Sequence, residues 1–122
     1  MELKQGELEN IILNALWALE EKNNNNKTDV KEIQEYIKTD SKNWAYTTVK
    51  TVLDRLVDKV IILRIKEGKK YFYSTLISRQ NAGEEALKKV LKQYFRNNFD
   101  EMTHSIEQLK VIDFNKELII IG

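Results

Sequence analysis

The chain has 122 residues, 42% apolar and 32% charged, with a net charge of +1 and neither cysteine nor proline. That length suits one domain with a true core, or a small domain with an appendage, and the lack of cysteine excludes disulfides, thiolate metal sites and thiol catalysis. No apolar run is long enough to span a membrane; the opening MELKQGELEN places acidic residues where a signal peptide has a basic then apolar run, so a cytoplasmic protein is expected.

Leu8, Ile11, Ile12, Ala15, Leu16 and Leu19 recur at helical spacing, which predicts a first helix over about residues 5–21 with Trp17 at the edge of its apolar stripe. KNNNNK ends it, because asparagine side chains compete for backbone hydrogen bonds and favour turns. TDVKEIQEYIKTD restarts a helix: Asp29 and Glu32 have capping-box spacing, and Val30, Ile33 and Ile37 share one face. SKNWAY is a connector, with Trp44 expected to staple the next helix.

AYTTVKTVLDRL carries that third helix to about Lys59. Val49, Val52, Leu53, Leu56 and Val57 form its inward stripe, leaving Thr47, Thr48, Lys50, Thr51 and Arg55 on a short-armed, mildly cationic outer face. IILRIK and YFYSTL are β-prone segments around EGKK, with Gly68 in the turn. Ile61, Leu63 and Ile65 alternate there with Ile62, Arg64 and Lys66, and the tyrosines 71 and 73 with Phe72, so that one set packs inward. Three helices followed by a basic-tipped hairpin is the order of a winged helix-turn-helix. The fold class expected is therefore mostly α with a small β-hairpin (α+β): a winged domain over 5–77 and a helical region over 78–122.

Beyond Ser78 the helical pattern returns. Ala82, Ala86, Leu87, Val90, Leu91, Tyr94 and Phe95 line one side; RNN interrupts; Phe99, Met102, Ile106 and Leu109 suggest another helix. A winged unit already complete leaves these faces without a partner, and a second copy of the chain is the simplest supplier. Leu87, Val90, Leu91, Tyr94, Phe95, Phe99 and Met102 are accordingly the expected dimer contacts. The segment VIDFNKELIIIG, 111–122, has no clear period.

Charge is distributed unevenly. Residues 1–40 carry 5 basic against 9 acidic side chains, residues 41–80 carry 9 against 3, and residues 81–122 carry 6 against 7. The basic middle coincides with the third helix and the hairpin, as phosphate-backbone binding requires. On that helix Tyr46, Thr47, Thr48, Lys50, Thr51 and Arg55 are the candidate DNA contacts: threonine methyls and hydroxyls suit thymine methyls and base edges, Arg55 suits guanine or phosphate, and Lys50 is the favoured base-contacting lysine. The helix start near Tyr46 favours a phosphate through its free N–H groups. Lys66, Lys69 and Lys70, flanking the hairpin turn, are expected on the sugar-phosphate backbone.

His104 is the sole histidine, and its neighbours Glu101 and Glu107 do not complete a metal site. No phosphate loop, catalytic triad or metalloprotease motif is present, so neither enzyme activity nor a cofactor is expected. The rival classes are a winged module that binds protein in place of DNA, and a regulator with a small-molecule pocket between its winged and helical parts.

The stretch AYTTVKTVLDRLVDKVIILRIKEGKKYFYSTLISR resembles the penicillinase-repressor and methicillin-resistance regulator family, which includes copper-responsive repressors. The resemblance rests on Thr47, Thr48, Val49, Leu53, Arg55, Leu56, Lys59, Tyr71 and Tyr73, with Trp17 at the aromatic position of the opening helix. It implies a homodimeric transcriptional repressor on a palindromic double-stranded DNA operator, dimerised by its C-terminal helices. In the antibiotic-responsive branch it implies a sensor protease as the partner that relieves repression. Val60 stands where the family has glycine, so a different helix-to-strand turn is expected there. The cysteine motif of the copper-responsive members is missing.

Overall fold

The computed structural model describes the backbone of residues 5–121 and the side chains of residues 6–111. The element order is α1 (Gln5–Asn23), α2 (Val30–Ile37), α3 (Tyr46–Asp58), β1 (Ile62–Glu67), β2 (Lys70–Thr75), α4 (Arg79–Phe95) and α5 (Phe99–Ile121). Two compact units result, residues 1–79 and 80–122. The first is a winged helix-turn-helix: three helices packed on one another and closed by an antiparallel hairpin.

Its core forms because the apolar stripes of three short helices have one shared surface on which to leave water. Ile12, Leu16, Ile33, Val49, Leu53, Leu56 and Ile62 are essentially inaccessible, and each such side chain contributes about 1.5–3 kcal/mol on leaving water. Trp17 sits at the margin, as its place beside the stripe predicts, and its indole N–H donates to the Ile77 carbonyl at 3.0 Å. The α2 capping box is present in both directions: the Asp29 carboxylate accepts from the Glu32 amide at 2.9 Å, and Glu32 accepts from the Asp29 amide at 3.2 Å. Trp44 packs against the core, while its carbonyl accepts from Gln34 at 2.8 Å.

The asparagine run is an ordered helix end. Asn24 takes φ 50°, which lets the Asn25 amide reach back to the Glu20 carbonyl; asparagine enters this left-handed region more easily than most residues. The chain then delivers Thr28 to the sheet. Thr28 and Tyr73 exchange both backbone hydrogen bonds, adding a one-residue third strand beside β2. Glu20 also ties α1 to β2, accepting from the Thr75 amide at 2.9 Å and its hydroxyl at 2.6 Å.

The hairpin pairs Ile62 with Thr75, Arg64 with Tyr73, and Lys66 with Tyr71 on one face, and Leu63 with Ser74 and Ile65 with Phe72 on the other. The core takes Ile62 and Tyr73 and leaves Leu63 exposed, so apolar character alone does not identify the inward set of β1. A two-residue turn closes the hairpin with Gly68 at φ 62°, the leading position that a type II′ turn reserves for glycine.

The turn out of α3 departs from expectation. Val60 adopts φ 59°, its amide donates to Val57, and the Ile61 amide donates to Leu56. This is the glycine-type Schellman closure, built with a β-branched residue. The turn geometry is kept and the strain sits on Val60, which is 72% exposed and so has little packing to offset it. Left-handed backbone costs an L-residue about 1–2 kcal/mol, against about 0.4–1 kcal/mol of added unfolded-state entropy for glycine. Val60→Gly should therefore raise unfolding stability by up to about 1 kcal/mol, measured as a higher urea midpoint with an unchanged slope.

In the second unit, Arg96 and Asn97 at φ 50° and 60° separate the helices. The 111–122 stretch, which has no clear period in the sequence, continues α5 as far as Ile121; its side chains beyond 111 lie outside the described residues. Helix α4 has no buried residue. Leu87, Val90, Tyr94, Phe99, Ile106 and Leu109 are all exposed, whereas Met102 is buried.

Candidate nucleic-acid interface

Helix α3 puts Val49, Val52, Leu53 and Leu56 wholly in the core. With 3.6 residues per turn, that burial forces the opposite face outward. Tyr46, Thr47, Thr48 and Thr51 are exposed, and Lys50 and Arg55 are half-buried. The N-cap, Ala45, makes no side-chain hydrogen bond to the helix, so the first turn carries amides with no side-chain acceptor. The Thr51 hydroxyl donates to the Thr47 carbonyl at 2.7 Å, which commits its proton to the helix and leaves its methyl as the group best suited to a partner.

The outer face also holds two carboxylates that the composition of the threonine-rich stretch conceals. Asp54 lies one turn beyond Lys50 and Asp58 one turn beyond Asp54, cancelling the charges of Lys50 and Arg55. Asp54 is fully engaged: its Oδ2 accepts from Lys50 at 3.2 Å and its Oδ1 from Arg64 on β1 at 2.9 Å. Hydrogen bonding to Asp54, and then its charge, hold the Lys50 ammonium above its ordinary pKa. Lys50 is thus tethered rather than free, while Arg55 makes no ion pair among the described residues. The i, i+4 spacing of Lys50 and Asp54 is the signal that points to this pair from sequence.

The positive charge of the interface therefore comes from the wing. Its one carboxylate, Glu67, is neutralised by Lys27 at 2.6 Å. Lys66 and Lys69 have no ion-pair partner among the described residues, and Lys70 approaches Asp29 only at 3.5 Å. Arg64 and Lys66 lie over the Tyr71 ring at 5.3 and 5.7 Å, a cation–π geometry that orders both cations along one side of the hairpin. The fold brings the two parts together: Tyr46 and Lys50 from α3, Lys69, Lys70, Tyr71 and Tyr73 from the wing, and Asp29 to Lys31 at the start of α2 line one notch.

The penicillinase repressor family model matches residues 5–116, nearly the whole chain. The chain belongs to the penicillinase repressor family. No curated protein matches it. Membership makes it a transcriptional repressor by family, a class of regulators and not of enzymes. Among the described residues no helix is long and apolar enough to cross a membrane, and no cluster of His, Asp or Glu is placed to hold a metal ion.

Proposed function

We propose that this penicillinase-repressor family member acts in the cytoplasm as a homodimer on a palindromic duplex operator, with α3 in the major groove and the wing on the flanking backbone. The observation that carries the reading is the convergence, on one side of the first unit, of the uncovered start of α3 with the wing lysines Lys69 and Lys70, of which Lys69 has no ion-pair partner among the described residues. Thr47, Thr48, Thr51 and Arg55 are the base-facing set; Tyr46, Lys66, Lys69 and Lys70 hold phosphates; Lys50 acts from its tether on Asp54. Dimer symmetry sets the half-sites about 34–36 Å apart, or a multiple of that. A salt-series binding titration on duplexes from its own promoter region tests this; weak shifts of equal strength on every sequence would refute operator recognition.

The wing's role has its own signature. Lys66→Ala with Lys69→Ala should weaken binding equally on operator and unrelated DNA, lowering the salt slope by about one per lysine without altering sequence preference.

The charge balance of the α3 outer face favours one second reading, a winged module whose partner is a protein. A stable protein complex at the wing, with no duplex binding at low salt, would establish it.

A further inference from the structure

The notch between α2, α3 and the wing has a volume of about 120 Å³, well under the roughly 300–1,000 Å³ of pockets that enclose a drug-sized molecule. It has room for one small group, not for a whole ligand. Lys31, Lys50, Lys69 and Lys70 surround it, with Asp29 the sole carboxylate in its lining. Tyr73 also lines it, fully buried, and among the described residues its hydroxyl proton has no acceptor, with the Arg64 guanidinium close enough to act on the oxygen. A buried phenol left unpaired costs about 1–3 kcal/mol, so the fold carries a donor that its own residues do not use. Burial, with Asp54 adding to it, holds that phenol above its ordinary pKa and so keeps it protonated.

We propose that this notch is a binding site for one phosphate group, with the Tyr73 hydroxyl donating to an oxygen whose charge Lys50, Lys69 and Lys70 balance. Four ammonium groups against one carboxylate in the lining select an anion. Lys31 and Lys69 have no ion-pair partner among the described residues, and Lys50 and Lys70 are shared with Asp54 and Asp29. A neutral phenol in the same lining selects an anion with an oxygen acceptor to spare. A tetrahedral phosphate satisfies both and presents its remaining oxygens to solvent. The same chemistry is offered by a phosphodiester of duplex DNA and by a free phosphoryl compound, and in the first case the site rests on the DNA-binding reading above.

The test uses the full chain and Tyr73→Phe, which keeps the ring and removes only the donor. In chloride the variant should melt at or above the wild-type temperature, since it loses an unpaired buried hydroxyl. Inorganic phosphate at matched ionic strength should raise the wild-type melting temperature by roughly 2 °C more than that of the variant, the comparison cancelling the general salting effect of phosphate. If it also displaces labelled duplex from the wild type more than matched chloride does, free phosphoryl compounds are ligands of the notch. If inorganic phosphate has no differential effect but Tyr73→Phe weakens duplex binding about tenfold, the occupant is the DNA backbone alone. A phosphate effect without any duplex binding would keep the site and sink the operator reading. Equal behaviour of wild type and variant in both assays would overturn the proposal.

Discussion

Arg55→Ala is expected to lower operator affinity roughly 10- to 100-fold, in line with the about 1–3 kcal/mol that a bidentate arginine–guanine contact contributes. Three cations stand near the outer face of α3, and they are not equivalent. Lys50 and Arg64 share Asp54 at 3.2 and 2.9 Å, so recruiting either to a base first requires breaking an existing pair. Arg55 has no such commitment among the described residues, and its guanidinium is the fork-shaped donor that guanine N7 and O6 accept. Lys50→Ala should accordingly cost less than Arg55→Ala. Anisotropy on operator and scrambled duplexes separates the outcomes: a loss confined to operator assigns Arg55 to base readout, and an equal loss on both assigns it to phosphate. Unchanged operator binding would remove Arg55 from the interface. Because Arg55 lies outside the core set, the variant's melting temperature should stay near wild type.

Val90→Glu, alone or with Leu87→Glu, should convert the proposed dimer to monomer and reduce operator affinity by more than 100-fold. Leu87, Val90, Leu91, Tyr94 and Phe95 fall at i, i+3, i+4, i+7 and i+8 along α4, a helix with no buried residue. A stripe of this kind gains nothing within one chain, and an uncovered apolar surface of this extent marks an interaction site. Placing a carboxylate there leaves a charge to be desolvated without a partner on association, whereas the separate chain, which buries none of these residues, should keep its helical content. Sedimentation should give the monomer mass and circular dichroism an unchanged spectrum. Monomers lose the second half-site, so the residual binding should match that on a single half-site duplex. A variant that remains dimeric would place the interface on some other surface.

Much of the architecture is legible without coordinates. The stripes of α1, α2 and α3 sit at the 3.6-residue period, and most of their residues occupy the core, because only one face of each short helix can be covered by the other two. Ile11 falls outside that face and is exposed, Leu13 is buried in its place, and Val57 is only partly covered. The capping box at Asp29 and the hairpin turn at Gly68 follow from local chemistry alone, which is why each lies where its residues predict. The candidate interface is legible to the extent that whatever the core excludes from α3 must face outward.

Other features depend on contacts between segments far apart in sequence, and no local pattern encodes them. Tyr73 and Leu63 have equal claims to the interior by composition; the hairpin register puts them on opposite faces, and the face that packs on the helices is the one carrying Ile62 and Tyr73, which leaves Leu63 outward. Asp54 becomes the partner of Arg64 only once the wing folds back beside α3, so that the carboxylate already paired locally with Lys50 also engages the wing, while Arg55 is left without an ion pair among the described residues. At Val60 the tertiary fold overrides local preference outright: the closure of α3 demands a left-handed residue, and the core that surrounds Leu56 and Ile62 holds valine in it. From sequence alone came the helices, the hairpin and the surface they expose. Which cations on that surface remain unpaired was decided by the fold, because ion pairing depends on distances that only the packed chain sets.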